Sequence, residues 1–206
     1  MNSPYKSQKN NEGSQLSLWQ RTTLLIQNPR DAFSLFSSSE RQSTAHIIFL
    51  LYFLVKLPII MQKPALLGKL KSLEPLQSLL FIASVLVAGM LLTILFLKLI
   101  ALVMNFFINK GNSINYSTED SYILLLLSLA PQLLLVYELP FLLADYKSPD
   151  TYLSALMLRL VVDLVSLRTF YWGLRILFNI SKLRAIAIIS LPSGTLCLGL
   201  LKLILG

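Results

Sequence analysis

The sequence predicts an all-α membrane protein, a five-helix transmembrane bundle with short N-terminal amphipathic helices. Three observations lead there. Ser78–Leu97 is a run of twenty residues without a charge, and about 20 residues rising 1.5 Å each cross a hydrocarbon layer ~30 Å thick. Four further apolar stretches flank that run. The chain is 55% hydrophobic and 14% charged, with a mean hydropathy of +0.67, a balance that argues against a water-soluble domain of this size. The spans are helices because lipid offers backbone groups no partner outside the segment. A β-barrel needs apolar/polar alternation, which these runs lack.

Residues 1–14 are polar, rich in Asn, Ser and Lys, and read as a disordered tail without a secretory signal. Residues 15–44 read as cytoplasmic amphipathic helices and 45–206 as the bundle. In Gln15–Gln27, Leu18, Thr22, Leu25 and Ile26 share one helical face beside Leu16 and Trp19, the pattern of an interfacial helix. Asn28-Pro29-Arg30-Asp31 restarts the helix, with Asn28 at N-cap, Pro29 at N1 and Asp31 at N3. Ala32, Phe33 and Phe36 form the apolar side of this second segment. Trp19, Leu25, Phe33 and Phe36 are thus candidate contacts for lipid or a protein partner. The alternative is that both helices pack as cover on the bundle's cytoplasmic end.

Ser39-Glu40-Arg41-Gln42 has capping-box spacing and opens the first span, about 45–61, whose far end Lys56 and Pro58 should kink or fray. A loop with Lys63, Lys69, Lys71, Pro64 and Pro75 follows. The second span is Ser78–Leu97 with an extension past Lys98 to Phe107, ended by the turn cluster Asn109-Lys110-Gly111-Asn112-Ser113. Thr118-Glu119-Asp120-Ser121 caps the third span, about 121–144, interrupted by Pro131. The fourth covers about 152–173. After a basic connector from Arg175 to Arg184, the fifth covers about 185–205, broken by Pro192-Ser193-Gly194. No internal repeat points to an inverted-repeat transporter.

The net charge is +8 and the pI about 9.7. No nucleic-acid motif accompanies this charge, so nucleic acid is not an expected partner. Basic residues outside the apolar runs instead mark cytoplasmic segments and meet anionic headgroups. With the N-terminus inside, the inner segments hold nine Lys and Arg against five outside, which favours N-in, C-out. Cys197 and His46 are each the only residue of their type. An internal disulfide is therefore excluded, as is a His-based metal cluster. Cofactors are not expected.

The fourth span carries Arg159, Asp163 and Arg168, each costing roughly 2.5–3.5 kcal/mol to insert. They should turn toward neighbouring helices, with Arg159 and Asp163 paired across one turn. Lys56 and Glu138 fall near the depth of Arg159, and Lys98 near that of Arg168. This set is either a polar pocket for an anion or proton, or an ion-pair network that fixes helix register.

One family resemblance emerges. Asn28-Pro29 with Phe33, the Gly111 turn, and Ala130-Pro131 with Tyr122 upstream occur in that order. Tyr171-Trp172-Gly173-Leu174 and Ser181-Lys182-Leu183-Arg184-Ala185 follow. The arrangement resembles the Yip1-domain family over roughly residues 20–206. The chain lacks the Asp-Leu-Tyr-Gly-Pro type of segment found in eukaryotic members, which bind Rab-type GTPases in vesicle traffic, and looks more like the bacterial branch. The resemblance implies a five-span inner-membrane protein with a cytoplasmic N-terminal tail and supplies no catalytic residues. The leading expectation is a non-enzymatic protein acting by interaction with membrane or protein partners. The alternative is a small transporter or transporter subunit using the intramembrane charges. An enzyme has least support, because no H-E-x-x-H, G-x-S-x-G or paired-acid motif occurs.

Overall fold

A computed structural model describes residues 16–61, 66, 68, 72–110, 114–138 and 149–190, with side chains of 59–61, 138 and 149–152 left aside. These residues are helical, with no strand among them. The elements are α1 (Leu18–Gln27), α2 (Pro29–Leu35), α3 (Ser38–Met61), α4 (Pro75–Asn109), α5 (Thr118–Leu127), a 3₁₀ segment (Ala130–Glu138), α6 (Pro149–Leu177) and α7 (182–190). The predicted tail, Lys63, Lys69 and Lys71 of the first loop, residues 111–113 of the turn, residues 139–148, Cys197 and most of the fifth span lie outside the described residues.

Local chemistry sets most boundaries, with several shifts from expectation. The Ser17 hydroxyl and the Gln20 side chain cap α1 reciprocally. Asn28 does separate α1 from α2, but its side chain donates to Asp31 rather than capping the backbone. The cap of α3 sits two residues earlier than Ser39-Gln42. Ser37 Oγ accepts from the Glu40 N–H at 3.3 Å while the Glu40 carboxylate accepts from the Ser37 N–H at 3.0 Å. Both boxes fit the spacing, and glutamate is the stronger acceptor. Pro58 lies inside α3, which continues as helix to Met61. Pro75 is the N1 residue of α4, not a loop breaker, with Glu74 and Gln77 as its capping box. Ser117 and Asp120, rather than Thr118 and Ser121, cap α5.

At Pro131 the third span changes winding. Leu129 and Gln132 donate to the carbonyls of Leu126 and Leu129, three residues back, at 3.1 and 2.8 Å. A proline cannot donate to the carbonyl four residues back and crowds it, so the chain tightens into 3₁₀ helix here. Beyond α6, Asn179 takes a positive φ of 49°, a conformation asparagine tolerates at helix ends.

Two helices among the described residues are long and apolar enough to cross a membrane: Pro75–Asn109 and the combined Thr118–Tyr137. Of the other expected spans, the fourth carries Arg159, Asp163 and Arg168 within α6, and the first carries Lys56 within α3.

The buried core joins one end of the assembly. Leu25 from α1, Phe33 from α2, Ile48 from α3, Ile108 from α4, Leu124 from α5 and Leu174 from α6 are all within 2% of full burial. Gly173 explains the tight seating of α6: a Cβ there would collide with Leu124 Cδ1 and come within 3.0 Å of Phe33 Cζ. By contrast, no residue of α4 before Ala101 is buried.

Candidate functional site

Two polar regions stand out against this apolar frame. The first lies along the middle of α6. Gln132, directly after Pro131, donates through Nε2 to Asp163 Oδ1 at 2.8 Å and to Ser166 Oγ at 3.3 Å. Ser166 in turn donates to the Val162 carbonyl at 2.9 Å. Asp163 and Arg168 are exposed on the surface of the chain, and each also bonds to a neighbouring element, at Gln132 and Gln27. The partner of Asp163 is an amide on the 3₁₀ segment, not the predicted Arg159, which is half-buried and makes contacts of its own.

Of the six expected polar residues, Lys98, Lys56, Asp163 and Arg168 have separate described partners. Lys98 Nζ lies 5.6 Å above the Tyr122 ring, and Lys56 Nζ lies 5.8 Å above the ring of Tyr52. A cation over an aromatic face recovers part of its lost hydration by attraction to the ring. Arg168 reaches the Gln27 carbonyl at 3.3 Å, capping the end of α1. The Glu138 side chain lies outside the described residues. Lys98, Asp163 and Arg168 thus each meet a partner on another element, whereas Lys56 meets Tyr52 within α3.

The second region is the end formed by α1, α2 and the adjoining ends of α3 to α7. Arg21 Nη2 and Glu40 Oε1 form an ion pair at 2.9 Å between α1 and α3, and Arg21 also donates to buried Thr44 at 3.4 Å. Hydrogen bonds from the Ser37 backbone and hydroxyl, aided by the Arg21 charge, hold the Glu40 carboxyl below its ordinary value despite partial burial. Arg41 donates to the Phe36 carbonyl at 2.7 Å. Desolvation lowers its guanidinium and the Asp120 charge counteracts this, so it remains a cation. Arg41, Tyr116 and Asp120 line a cleft of about 390 Å³ between α3, α5 and the end of α6. Arg184 Nη2 donates to the carbonyls of Phe107 at 2.6 Å, Ile108 at 3.0 Å and Lys110, closing the C-terminal end of α4.

The interfacial residues divide. Trp19 is 77% exposed, whereas Leu25, Phe33 and Phe36 are 0%, 2% and 4% exposed. The last three cannot dock a partner or lipid, because α6 and α3 already occupy their faces. Thr169, itself fully buried, donates to the Leu25 carbonyl at 3.2 Å and fixes α6 against α1. The two N-terminal helices are cover on the bundle end, the alternative that their pattern left open.

Trp172 also belongs to this end. Arg30 Cζ of α2 lies 5.6 Å and Arg175 Cζ of α6 5.9 Å from its ring centroid. In sequence, Trp172 of the Yip1-like Tyr171-Trp172-Gly173-Leu174 stretch and Arg175, the first residue of the basic connector, are three apart on one helix face, but nothing in the spacing signals that Arg30 of the helix restart meets them. Among the described residues, no three His, Cys, Asp or Glu side chains gather to hold a metal ion. Neither a family model, nor a curated protein, nor a solved structure matches this chain.

Proposed function

We propose that the chain is a five-span, multi-pass integral membrane protein of Yip1-like type in the bacterial cytoplasmic membrane. Its N-terminus faces the cytoplasm and its C-terminus the outside. It acts through interactions of its basic end with the membrane and a protein partner, in a role of membrane organisation, and carries out no catalysis. The observation that carries this reading is charge asymmetry. The end built from α1, α2 and the adjoining helix ends holds Arg21, Arg30, Arg41, Lys110, Arg168, Arg175, Lys182 and Arg184, against four acids, Asp31, Glu40, Glu119 and Asp120. Such an excess marks the cytoplasmic side of membrane helices. The exposed indole of Trp19 on the same end suits the headgroup layer.

The orientation is tested by single cysteines in a Cys197→Ser background. Ser17→Cys and Asn115→Cys should resist a membrane-impermeant thiol reagent in intact cells, while Ser72→Cys reacts. Labelling of Ser17→Cys in intact cells refutes the reading. Proteoliposomes should show no flux of small anions or protons; flux abolished by Asp163→Asn would favour the transporter alternative.

A further inference from the structure

We infer that Arg30, Trp172 and Arg175 form a receptor for one phosphate-bearing anion, the headgroup of an acidic phospholipid at the membrane surface. The inference rests on the membrane reading above and gives its lipid contact a location. Two guanidiniums from different helices share one indole, at 5.6 and 5.9 Å from its centroid. Like charges brought together need a reason, and the usual one is absent. Among the described residues, the only ion pair is that of Arg21 with Glu40, so neither Arg30 nor Arg175 meets a carboxylate within 4.0 Å. Asp31 lies next to Arg30 in sequence, but its carboxylate takes the Asn28 amide.

A second observation is independent of the first. The Nε of Arg175 is buried and has no hydrogen-bond partner. A buried donor on a cation is costly to leave unmet. A tetrahedral phosphate fits this need, since guanidinium forks bind its oxygens in pairs. The indole neighbours both cations but offers their N–H groups no acceptor oxygen. Exposed Leu164 and Leu167 precede the site on α6, giving a diacyl lipid an apolar surface beside its headgroup.

The test uses the full chain carrying Trp19→Phe, so that Trp172 is the only tryptophan, purified in uncharged detergent. Titration with short-chain phosphatidylglycerol should shift Trp172 fluorescence saturably, whereas phosphatidylcholine should not. Arg30→Gln and Arg175→Gln should each weaken binding about fivefold, the equivalent of roughly 1 kcal/mol per basic residue. Arg175→Lys should retain part of the affinity. Circular dichroism and gel filtration check that each variant is folded. Displacement of the lipid by millimolar inorganic phosphate would support the phosphate site and assign it to a soluble ligand. Equal binding by wild type and both Gln variants, or equal response to phosphatidylcholine, overturns the site. That failure would leave the membrane reading intact, because the cysteine-labelling pattern does not depend on it.

Discussion

The carboxylate of Asp163 accepts its hydrogen bond from Gln132, 31 residues earlier, at 2.8 Å. The contact joins α6 to the 3₁₀ segment and exists because Pro131 rewinds the third span. Removing either partner should lower the thermal midpoint in detergent. Gln132→Leu and Asp163→Asn should be non-additive, with a coupling of about 0.6–1.7 kcal/mol, the scale of hydrogen bonds between membrane helices. Strict additivity would show that the contact contributes nothing.

Gly173→Ala should destabilise the protein by about 1–3 kcal/mol, the cost of forcing one methyl into a filled interior. The blocking atom is Leu124 Cδ1, with the Phe33 ring next. Adding Leu124→Ala to Gly173→Ala should therefore cost less than Leu124→Ala costs in the wild type. Thermal unfolding of the four chains decides the matter, and equal costs in both backgrounds contradict the packing described.

Arg184→Gln should release three carbonyl oxygens at the end of α4. Hydrogen bonds from a charged donor contribute about 1.5–3 kcal/mol as a set-point, and part of that should be lost. Amide exchange across residues 106–110 should quicken, with Arg184→Lys in between. Unaltered exchange there means the guanidinium is not the cap.

Acid should loosen the junction of α1 with α3. The Glu40 carboxyl is held below its ordinary value chiefly by the Ser37 N–H, then by the Ser37 hydroxyl and the Arg21 charge. A depressed folded-state value contributes stability that is full above the unfolded value of about 4.3 and fades as pH falls through the folded one. Thermal midpoints measured downward from about pH 6 should fall more steeply in wild type than in Glu40→Gln. Parallel curves would exclude a role for this carboxylate.

Sequence pattern disclosed some of these features and concealed others, for identifiable reasons. The break at Asn28-Pro29, the long apolar α4 and the disturbance at Pro131 were legible because each follows from one residue's backbone chemistry. Cap positions at Ser37 and Ser117 were displaced by one or two residues because adjacent serines and threonines offer competing boxes. The inward turn of Leu25, Phe33 and Phe36 was not fixed by periodicity, which shows that a helix has an apolar face without showing what covers it. Pairings such as Gln132 with Asp163, Arg184 with the end of α4, and Arg30 with Trp172 span 31 to 142 residues of chain, so no local spacing encodes them.

Helix α4 has 35 residues, which corresponds to about 52 Å of length, well beyond a hydrocarbon layer of ~30 Å. Its burial begins only at Ala101, and Arg184 grips its final carbonyls. Its end is seated deeply, and its earlier turns rest only partly on the core, where Gly89 faces Phe53 of α3 and Met90, Ile94 and Leu97 are partly buried. Placed across a bilayer, a helix of this length would have to tilt, and more so in a thinner one, with the load carried by its buried end, residues 101–109.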